Sequence, residues 1–169
     1  KRLQHIFYTS LRVTSQKYSD MIKKKDIENV ISSKKIALVG VSRSPKKFSA
    51  QVYKNLKKKG YELVPVNPHA ETIQGDTCIN SIAQLPDDIE ALLVIVPADH
   101  VNDIMNQAIE KGIKKIWLQQ KLFTTEAIEM AKKHNITLIY GECIYMWTQP
   151  TGVHKLHRIL RSTFGKMPS

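Results

Sequence analysis

The chain of 169 residues carries 26 Lys and Arg against 15 Asp and Glu, and 42% of its residues are apolar. This length predicts one folded domain with short extensions, and no apolar stretch reaches the roughly 18 residues that a membrane-spanning helix needs. The two cysteines, Cys78 and Cys143, have no metal-ligand spacing, and we expect structural thiols in a reducing compartment. The composition therefore argues against a membrane span and favours a cytoplasmic protein.

The formal net charge of +11 predicts attraction to polyanions. Nucleic acid is disfavoured as the partner because only 7% of residues are aromatic, and none alternate with the lysines as stacking platforms would. A basic rim around a phosphorylated small molecule accounts for the charge as well as DNA does.

The first predicted segment is a basic helical extension over residues 1–33. Its first 19 residues contain no Asp or Glu, and apolar residues between Leu3 and Leu11 are spaced to form one helical stripe. Two interpretations stay open: a helix that packs on the domain, or the remnant of a presequence, which would place the protein in the mitochondrial matrix. A further short helix is predicted over residues 26–31, with Asp26 as its N-cap.

Strands and helices alternate between residues 34 and 149, the segment that we predict to be the main domain. The strands are predicted at residues 36–39, 61–66, 91–96, 115–118 and 136–140, with helices near residues 48–59, 101–111 and 125–134. Each of these helices ends in lysine followed by Gly or Asn, which is a helix C-terminal signal. The alternation predicts an α/β fold with a doubly wound five-stranded parallel sheet, right-handed crossovers and strand order 3-2-1-4-5.

A basic amphipathic helix is predicted over residues 150–169, after the strand and helix pattern stops. Most such helices dock on their own domain, and contact with a membrane or nucleic acid is the alternative.

The first strand ends at Gly40 and opens into a cationic loop before the helix at residues 48–59. Free backbone N–H groups and the positive helix end converge at such a turn, which makes it an anion site. Residues 34–60 hold nine Lys or Arg and no Asp or Glu. We hypothesise that this loop binds the phosphates of a nucleotide-like ligand, with an ordinary strand-to-helix turn and a solvated basic rim as the alternative. The loop residues assigned to the site are Gly40, Ser42, Arg43, Ser44, Pro45 and Lys47.

The other predicted strand ends complete the candidate site, because ligands bind open parallel sheets beyond the carboxyl ends of the strands, at the switch point. Two of these ends carry proline, which suits a wall beside an adenine ring and is equally an ordinary strand terminator. An NAD-dependent dehydrogenase is disfavoured because Ser42 and Pro45 stand where its other glycines would, and no carboxylate follows the second strand. The residues at these ends are Val66, Asn67 and Pro68, Val96 and Pro97, and Gln119 and Gln120.

Seven short motifs lie at or near the predicted strand ends. They are Val-Gly-Val-Ser at 39–42, Val-Pro-Val-Asn-Pro at 64–68, Ile-x-Gly at 73–75, Ser-Ile-x-x-Leu-Pro at 81–86, Val-Pro at 96–97, Trp-Leu-Gln at 117–119 and Gly-Glu-Cys-Ile at 141–144. Together and in this order, they resemble the motifs of the stand-alone CoA-binding proteins. Those are small Rossmann-like domains similar to the N-terminal domain of the succinyl-CoA synthetase alpha subunit.

The resemblance implies that coenzyme A lies across the strand ends. Residues 42–45 match the loop that contacts the phosphates, and residues 66–68 and 96–97 match the segments that flank the adenosine. Residues 119–121 match the turn along which the pantetheine arm passes. A 3′-phosphorylated ribose would also account for the missing acid after the second strand, since a carboxylate there would repel it.

One position departs from the family pattern. The synthetase has a lysine shortly after the proline that ends its second strand, whereas His69 and Ala70 stand here. If CoA binds, Arg43, Lys46 or Lys47 must supply that charge.

No catalytic constellation or metal-ligating cluster is evident in the sequence, and only one of the six histidines, His69, falls near a strand end. Cys143 follows the fifth strand, as either a small buried residue or a thiol that forms a mixed disulfide with the ligand. We predict a binding protein for CoA or an acyl-CoA without catalytic activity of its own. The alternative is an NAD- or nucleotide-responsive regulator whose basic terminal helices contact DNA, and the sequence leaves a homo-oligomer open.

Overall fold

A parallel sheet flanked by helices forms the centre of the molecule in the computed structural model, which describes residues 22–120 and 122–148. The strands are β1 (Lys35–Val39), β2 (Glu62–Val66), β3 (Thr72–Ile73), β4 (Asp76–Thr77), β5 (Ala91–Val94), β6 (Lys115–Leu118) and β7 (Thr137–Ile139). The α-helices are α1 (Lys24–Ile31), α2 (Phe48–Lys58), α3 (Val101–Glu110), α4 (Thr125–Lys133) and α5 (Ile144–Trp147). The helices predicted before residue 22 and over residues 150–169 lie outside the described residues.

Five parallel strands are ordered β2-β1-β5-β6-β7, which confirms the predicted α/β class and the doubly wound parallel sheet. The apolar strands are buried as expected where helices cover both faces: all four residues of β5 are buried, as is β1 from its second residue onward. The right-handed crossover rule for parallel strands implies that α2 covers one face and that α3 and α4, which contact each other, cover the other. The helix α1 contacts β6 and β7.

The predicted strand order needs one correction. The segment numbered third in the prediction is β5, and it pairs with β1 instead of lying outside β2. The position outside β2 is taken by a single parallel bridge between Val66 and Ile79, with the Ile79 N–H donating to the Pro65 carbonyl at 2.9 Å. The 3-2-1-4-5 pattern therefore holds only when Ile79 is counted as the third position, and β5 then takes the fourth. A one-residue bridge has no alternating or continuous apolar pattern, so the prediction had no strand to place there.

The helix ends follow the predicted signals. The helices α2, α3 and α4 each end two residues before a residue with positive φ, namely Gly60, Gly112 and Asn135. The Thr124 hydroxyl caps α4 by accepting the Ala127 N–H at 3.0 Å. The predicted N-cap of α1 is wrong, because Lys23 occupies that position and Asp26 lies in the first turn.

The ends of β1 and β5 approach each other closely at Gly40. This glycine has φ +88°, and its N–H donates to the Val66 carbonyl at 2.9 Å. A Cβ atom placed on Gly40 would lie 2.3 Å from the Ile95 carbonyl oxygen and 2.7 Å from Cγ1 of Val96. Only glycine lets the chain leave β1 in this direction beside the main chain that follows β5.

A short hairpin, formed by β3 and β4, is held against α2 by polar side chains. The buried Tyr53 hydroxyl donates to Asp76 Oδ2 at 2.6 Å, and Lys57 pairs with the same carboxylate. At the turn of the hairpin, Gln74 Nε2 donates to the Ala50 carbonyl at 2.8 Å. The hydrogen bonds from Lys57, and then from Tyr53, lower the pKa of Asp76, while burial and the neighbouring Asp76 raise the pKa of Tyr53. These contacts fix the segment that follows β2.

We predict that Gly40→Ala lowers the free energy of unfolding by about 3 kcal/mol, because strain at positive φ adds to the clash with main-chain atoms. Gly75→Ala is the matched control: Gly75 has φ +89°, but a Cβ atom there would meet nothing within 4 Å. It should cost about 1 kcal/mol from backbone strain alone. Urea unfolding measures both values, and equal losses would show that the approach to Ile95 imposes no constraint.

We predict that Asp76→Asn lowers the free energy of unfolding at pH 7 by about 1 kcal/mol. The folded-state pKa of Asp76 lies below its ordinary value of 3.8, so its contribution is present above that value and is lost as the pH falls through the folded-state pKa. The gap between wild type and variant should therefore narrow as the pH falls below 3.8, as measured by urea unfolding from pH 7 to pH 2.5.

Asp87→Asn is the control for that experiment, since Asp87 also pairs with a lysine, Lys111, at 2.7 Å, but its side chain is 97% exposed. Asp87→Asn should lower the free energy of unfolding by less than Asp76→Asn does. A gap for Asp76→Asn that stays constant with pH would show that the ionised carboxylate is not what stabilises the hairpin.

Candidate functional site

Five chain segments meet at the carboxyl edge of the sheet, because parallel strands end on the same side. The chain leaves β1 toward β2 on one side, and it returns to β5 on the other side of β1, so the switch point lies between β1 and β5. Open parallel sheets bind ligands at such a point. The loops after β2, β1 and β5 therefore form the centre of the candidate site, and the turn after β6 lies next to it.

The loop between β1 and α2 is held by hydrogen bonds from its backbone N–H groups, two of them to serine hydroxyl oxygens. The Ser42 N–H donates to Ser49 Oγ at 3.0 Å, the Ser44 N–H donates to Ser42 Oγ at 3.1 Å, and the Lys47 N–H donates to the Ser44 carbonyl at 3.1 Å. Ser49 is buried in the first turn of α2, so it holds the loop against the helix start. The sequence analysis did not identify Ser49 as a residue that holds the loop. The available signal was a serine at the second position of the helix.

The cations of this loop are open to solvent. Arg43, Lys46 and Lys47 are exposed together with Ser44 and Pro45. None of the three cations forms an ion pair with another described residue. The N-cap residue of α2 is Lys47, which makes no side-chain capping bond, and the first N–H groups of any helix have no carbonyl partner within it. The loop thus joins a positive helix end to mobile positive charge.

The segment after β2 is tied to this loop by Asn67. Its Nδ2 donates to the Val41 carbonyl at 2.7 Å, and its Oδ1 accepts the His69 N–H at 2.8 Å. Both ends of the amide are therefore used within the protein. Val66 is buried at 2% exposure, which leaves Pro68 as the exposed member of the three residues predicted here.

The segment after β5 lies on the other side of Gly40. Val96 is half-buried beside that glycine, and Pro97 is exposed and precedes a short 3-10 turn (Ala98–His100). The two predicted prolines, Pro68 and Pro97, thus follow the two strands that flank β1.

The turn after β6 is built on a buried glutamine. Gln119 is 3% exposed, its Oε1 accepts the Ile144 N–H at 3.1 Å, and its Nε2 donates to Cys143 Sγ at 3.4 Å. Gln120 is exposed with φ +47°, and its N–H donates to the Glu142 carbonyl at 3.0 Å. Gln119 therefore holds the start of α5 in place, and Gln120 is the member of the pair that solvent reaches.

Of the two interpretations of Cys143, the structure agrees with the first, a small buried residue. It is 4% exposed, and its thiol accepts the Gln119 amide. Both Cys143 and Cys78 are free cysteines. Burial raises the pKa of the Cys78 thiol.

Residues 22–120 and 122–148 contain no group of three or more His, Cys, Asp or Glu side chains placed to hold a metal ion. Among the same residues, no helix is both long enough and apolar enough to cross a membrane.

The chain resembles solved structures of small proteins along most of their length. A conserved hypothetical protein from Pyrococcus furiosus is 35% identical with a TM-score of 0.64, over 66% of this chain and 96% of that one. A hypothetical protein from Pyrococcus horikoshii OT3 is 32% identical with a TM-score of 0.68, over 75% of this chain and 89% of that one.

Curated relatives are of two sizes. The protein YneT of Bacillus subtilis is 30% identical over 122 residues, which are 72% of this chain and 90% of YneT. The alpha subunit of the ADP-forming acetate–CoA ligase II of Pyrococcus furiosus is 29% identical over 140 residues, or 76% of this chain. The chain matches only 29% of that subunit's length. The family model described as a CoA binding domain matches residues 34–149, so the chain belongs to the CoA-binding domain family.

Proposed function

We propose that the protein binds CoA or an acyl-CoA across the carboxyl ends of β2, β1, β5 and β6, without catalytic activity of its own. The observation that carries this proposal is the family match over residues 34–149, the same segment that builds the carboxyl edge. In the proposed complex, the diphosphate lies at the start of α2 against residues 42–47. The adenosine lies between Pro68 and Pro97.

The charge of the loop supports a polyphosphorylated ligand. CoA carries a diphosphate and a 3′-phosphate, and Arg43, Lys46 and Lys47 are exposed and free of ion pairs with other described residues. Charge-assisted hydrogen bonds to phosphate oxygens are stronger than neutral ones. These cations can supply the charge that a lysine after the second strand supplies in the succinyl-CoA synthetase.

The segment after β2 supports CoA over NAD. A dinucleotide site places a carboxylate there to accept the ribose hydroxyl groups. In this protein Asn67 has both ends of its amide engaged, and the residues that follow are Pro68 and His69. Residues 67–70 include no acidic side chain, so a 3′-phosphate beside them meets no carboxylate there.

The sizes of the relatives support a binding protein. The matched segment makes up 29% of the Pyrococcus furiosus ligase II subunit and 90% of YneT. We infer that catalysis in the ligases belongs to parts that have no counterpart in the matched segment.

The free thiols of Cys78 and Cys143 fit the cytoplasm. The alternative of a DNA-contacting regulator gains nothing from the family match, and its basic terminal helices lie outside the described residues.

We predict that calorimetric titration shows binding of CoA, weaker binding of dephospho-CoA, and little or no binding of NAD. The 3′-phosphate is present in CoA alone among these three ligands, so its contacts should appear as a preference of about tenfold over dephospho-CoA. Binding of NAD with no binding of CoA would contradict the proposal.

We predict that the double variant Arg43→Ala/Lys47→Ala weakens CoA binding by about tenfold at low salt, since each exposed charge contributes roughly 0.5–1 kcal/mol. The slope of affinity against salt concentration should also decrease.

Lys132→Ala/Lys133→Ala is the matched control, because it removes the same charge from exposed positions at the end of α4, on the opposite edge of the sheet. It should leave the affinity for CoA nearly unchanged. Equal losses in the two double variants would show that net charge, not the loop, attracts the ligand.

A further inference from the structure

Phe48 is the one large hydrophobic side chain that is exposed among residues 22–120 and 122–148, with 41% of its surface open to solvent. A single exposed apolar side chain is ordinary on a protein surface. This one is the first residue of α2 and directly follows the cationic loop. Its position beside the proposed diphosphate site sets it apart.

The ring of Phe48 is held in place by Tyr145. The two rings meet edge to face, with centroids 5.8 Å apart and an interplanar angle of 81°. Such pairs are stabilising beyond the area that they bury. The Tyr145 hydroxyl in turn accepts a hydrogen bond from Asn55 Nδ2 at 2.9 Å, so both rings are fixed to α2.

The pair lies near the carboxyl edge. Helical side chains lean toward the N-terminus of their helix, so Phe48 leans toward the loop between β1 and α2. Tyr145 follows Ile144, whose N–H is held by the Gln119 side chain at the end of β6. An exposed aromatic surface thus stands between the start of α2 and the turn along which the pantetheine arm is proposed to pass.

We propose that the Phe48–Tyr145 pair contacts the branched pantoate unit of CoA and thereby distinguishes CoA from nucleotides that end at the diphosphate. This inference rests on the proposed function. In CoA, only an ester oxygen and a methylene separate the second phosphorus from a quaternary carbon that carries two methyl groups. A diphosphate at the start of α2 puts that apolar unit next to the first residue of the helix, which is Phe48.

A purely structural pair makes a different prediction. If Phe48 served only to pack on Tyr145, its replacement would change stability and would affect all ligands alike. If it contacts pantoate, its replacement acts on CoA alone, because the terminal methyl ester of adenosine 3′-phosphate 5′-diphosphate has the same phosphates and the same charge and lacks the pantetheine arm.

The experiment titrates CoA and the terminal methyl ester of adenosine 3′-phosphate 5′-diphosphate into the wild-type protein, Phe48→Ser and Phe48→Leu, with the melting temperature of each protein as a check of folding. We expect the wild type to bind CoA about tenfold more tightly than the truncated nucleotide, from the apolar surface buried against pantoate. Phe48→Ser should lose most of that advantage. Phe48→Leu should recover most of it, because leucine keeps an apolar side chain of similar reach.

The outcomes separate this inference from the proposed function. Equal weakening of both ligands by Phe48→Ser, or no change in either, overturns the role of Phe48 while CoA binding stands. Equal wild-type affinity for the two ligands also overturns it. Failure of the wild type to bind either ligand refutes the proposed function and this inference together.

Discussion

The close approach of main chain to main chain at Gly40 is the constraint on which the candidate site depends. The chain leaves β1 at φ +88° with its Cα atom against the Ile95 carbonyl, where no side chain fits. This approach brings the loop before α2 to the loop after β5, on the two sides of the switch point. Without it, the positive end of α2 and the proline after β5 would not lie together at the candidate site.

The polar side chains at this edge act mainly on the protein itself. Asn67 joins the loops after β1 and β2, Ser49 accepts the Ser42 N–H, and Gln119 fixes the start of α5. Buried polar groups need such partners, and once satisfied they hold a single geometry. The loops are therefore held in place by the protein's own side chains. The proposed ligand would contact the exposed groups at this edge: helix N–H groups, cations, proline rings and the aromatic pair of Phe48 and Tyr145.

The strands and helices could be predicted from the sequence, but the pairing of the strands and the partners of the polar side chains could not. Apolar runs and lysine-glycine endings located the five parallel strands and the helices between them, because these are local signals. The segment next to β2 was not predicted to join the sheet, because the Val66–Ile79 bridge involves only one residue on each side. In the same way, Asn67 and Gln119 stand at the predicted strand ends, but the partners of their amides are distant in sequence. Their internal hydrogen bonds could be seen only in three dimensions.

The two edges of the sheet differ in how their cations are placed, and this difference bears on the ligand. At the amino edge, Lys35 lies 2.7 Å from Asp88 and 3.3 Å from Glu62, and the hydrogen bond with Asp88 is the main cause of its raised pKa. At the carboxyl edge, the cations of the cationic loop have no acid within their own stretch of sequence, and none reaches them from the other described residues. A lysine that only keeps a surface hydrated gains from a nearby carboxylate, as Lys35 does. A cation that must receive phosphate is weakened by one, because the carboxylate competes for the same hydrogen bonds and repels the ligand. That no described carboxylate pairs with the cations of the loop between β1 and α2 is therefore what a polyanion site requires, and an ordinary basic rim has no such requirement.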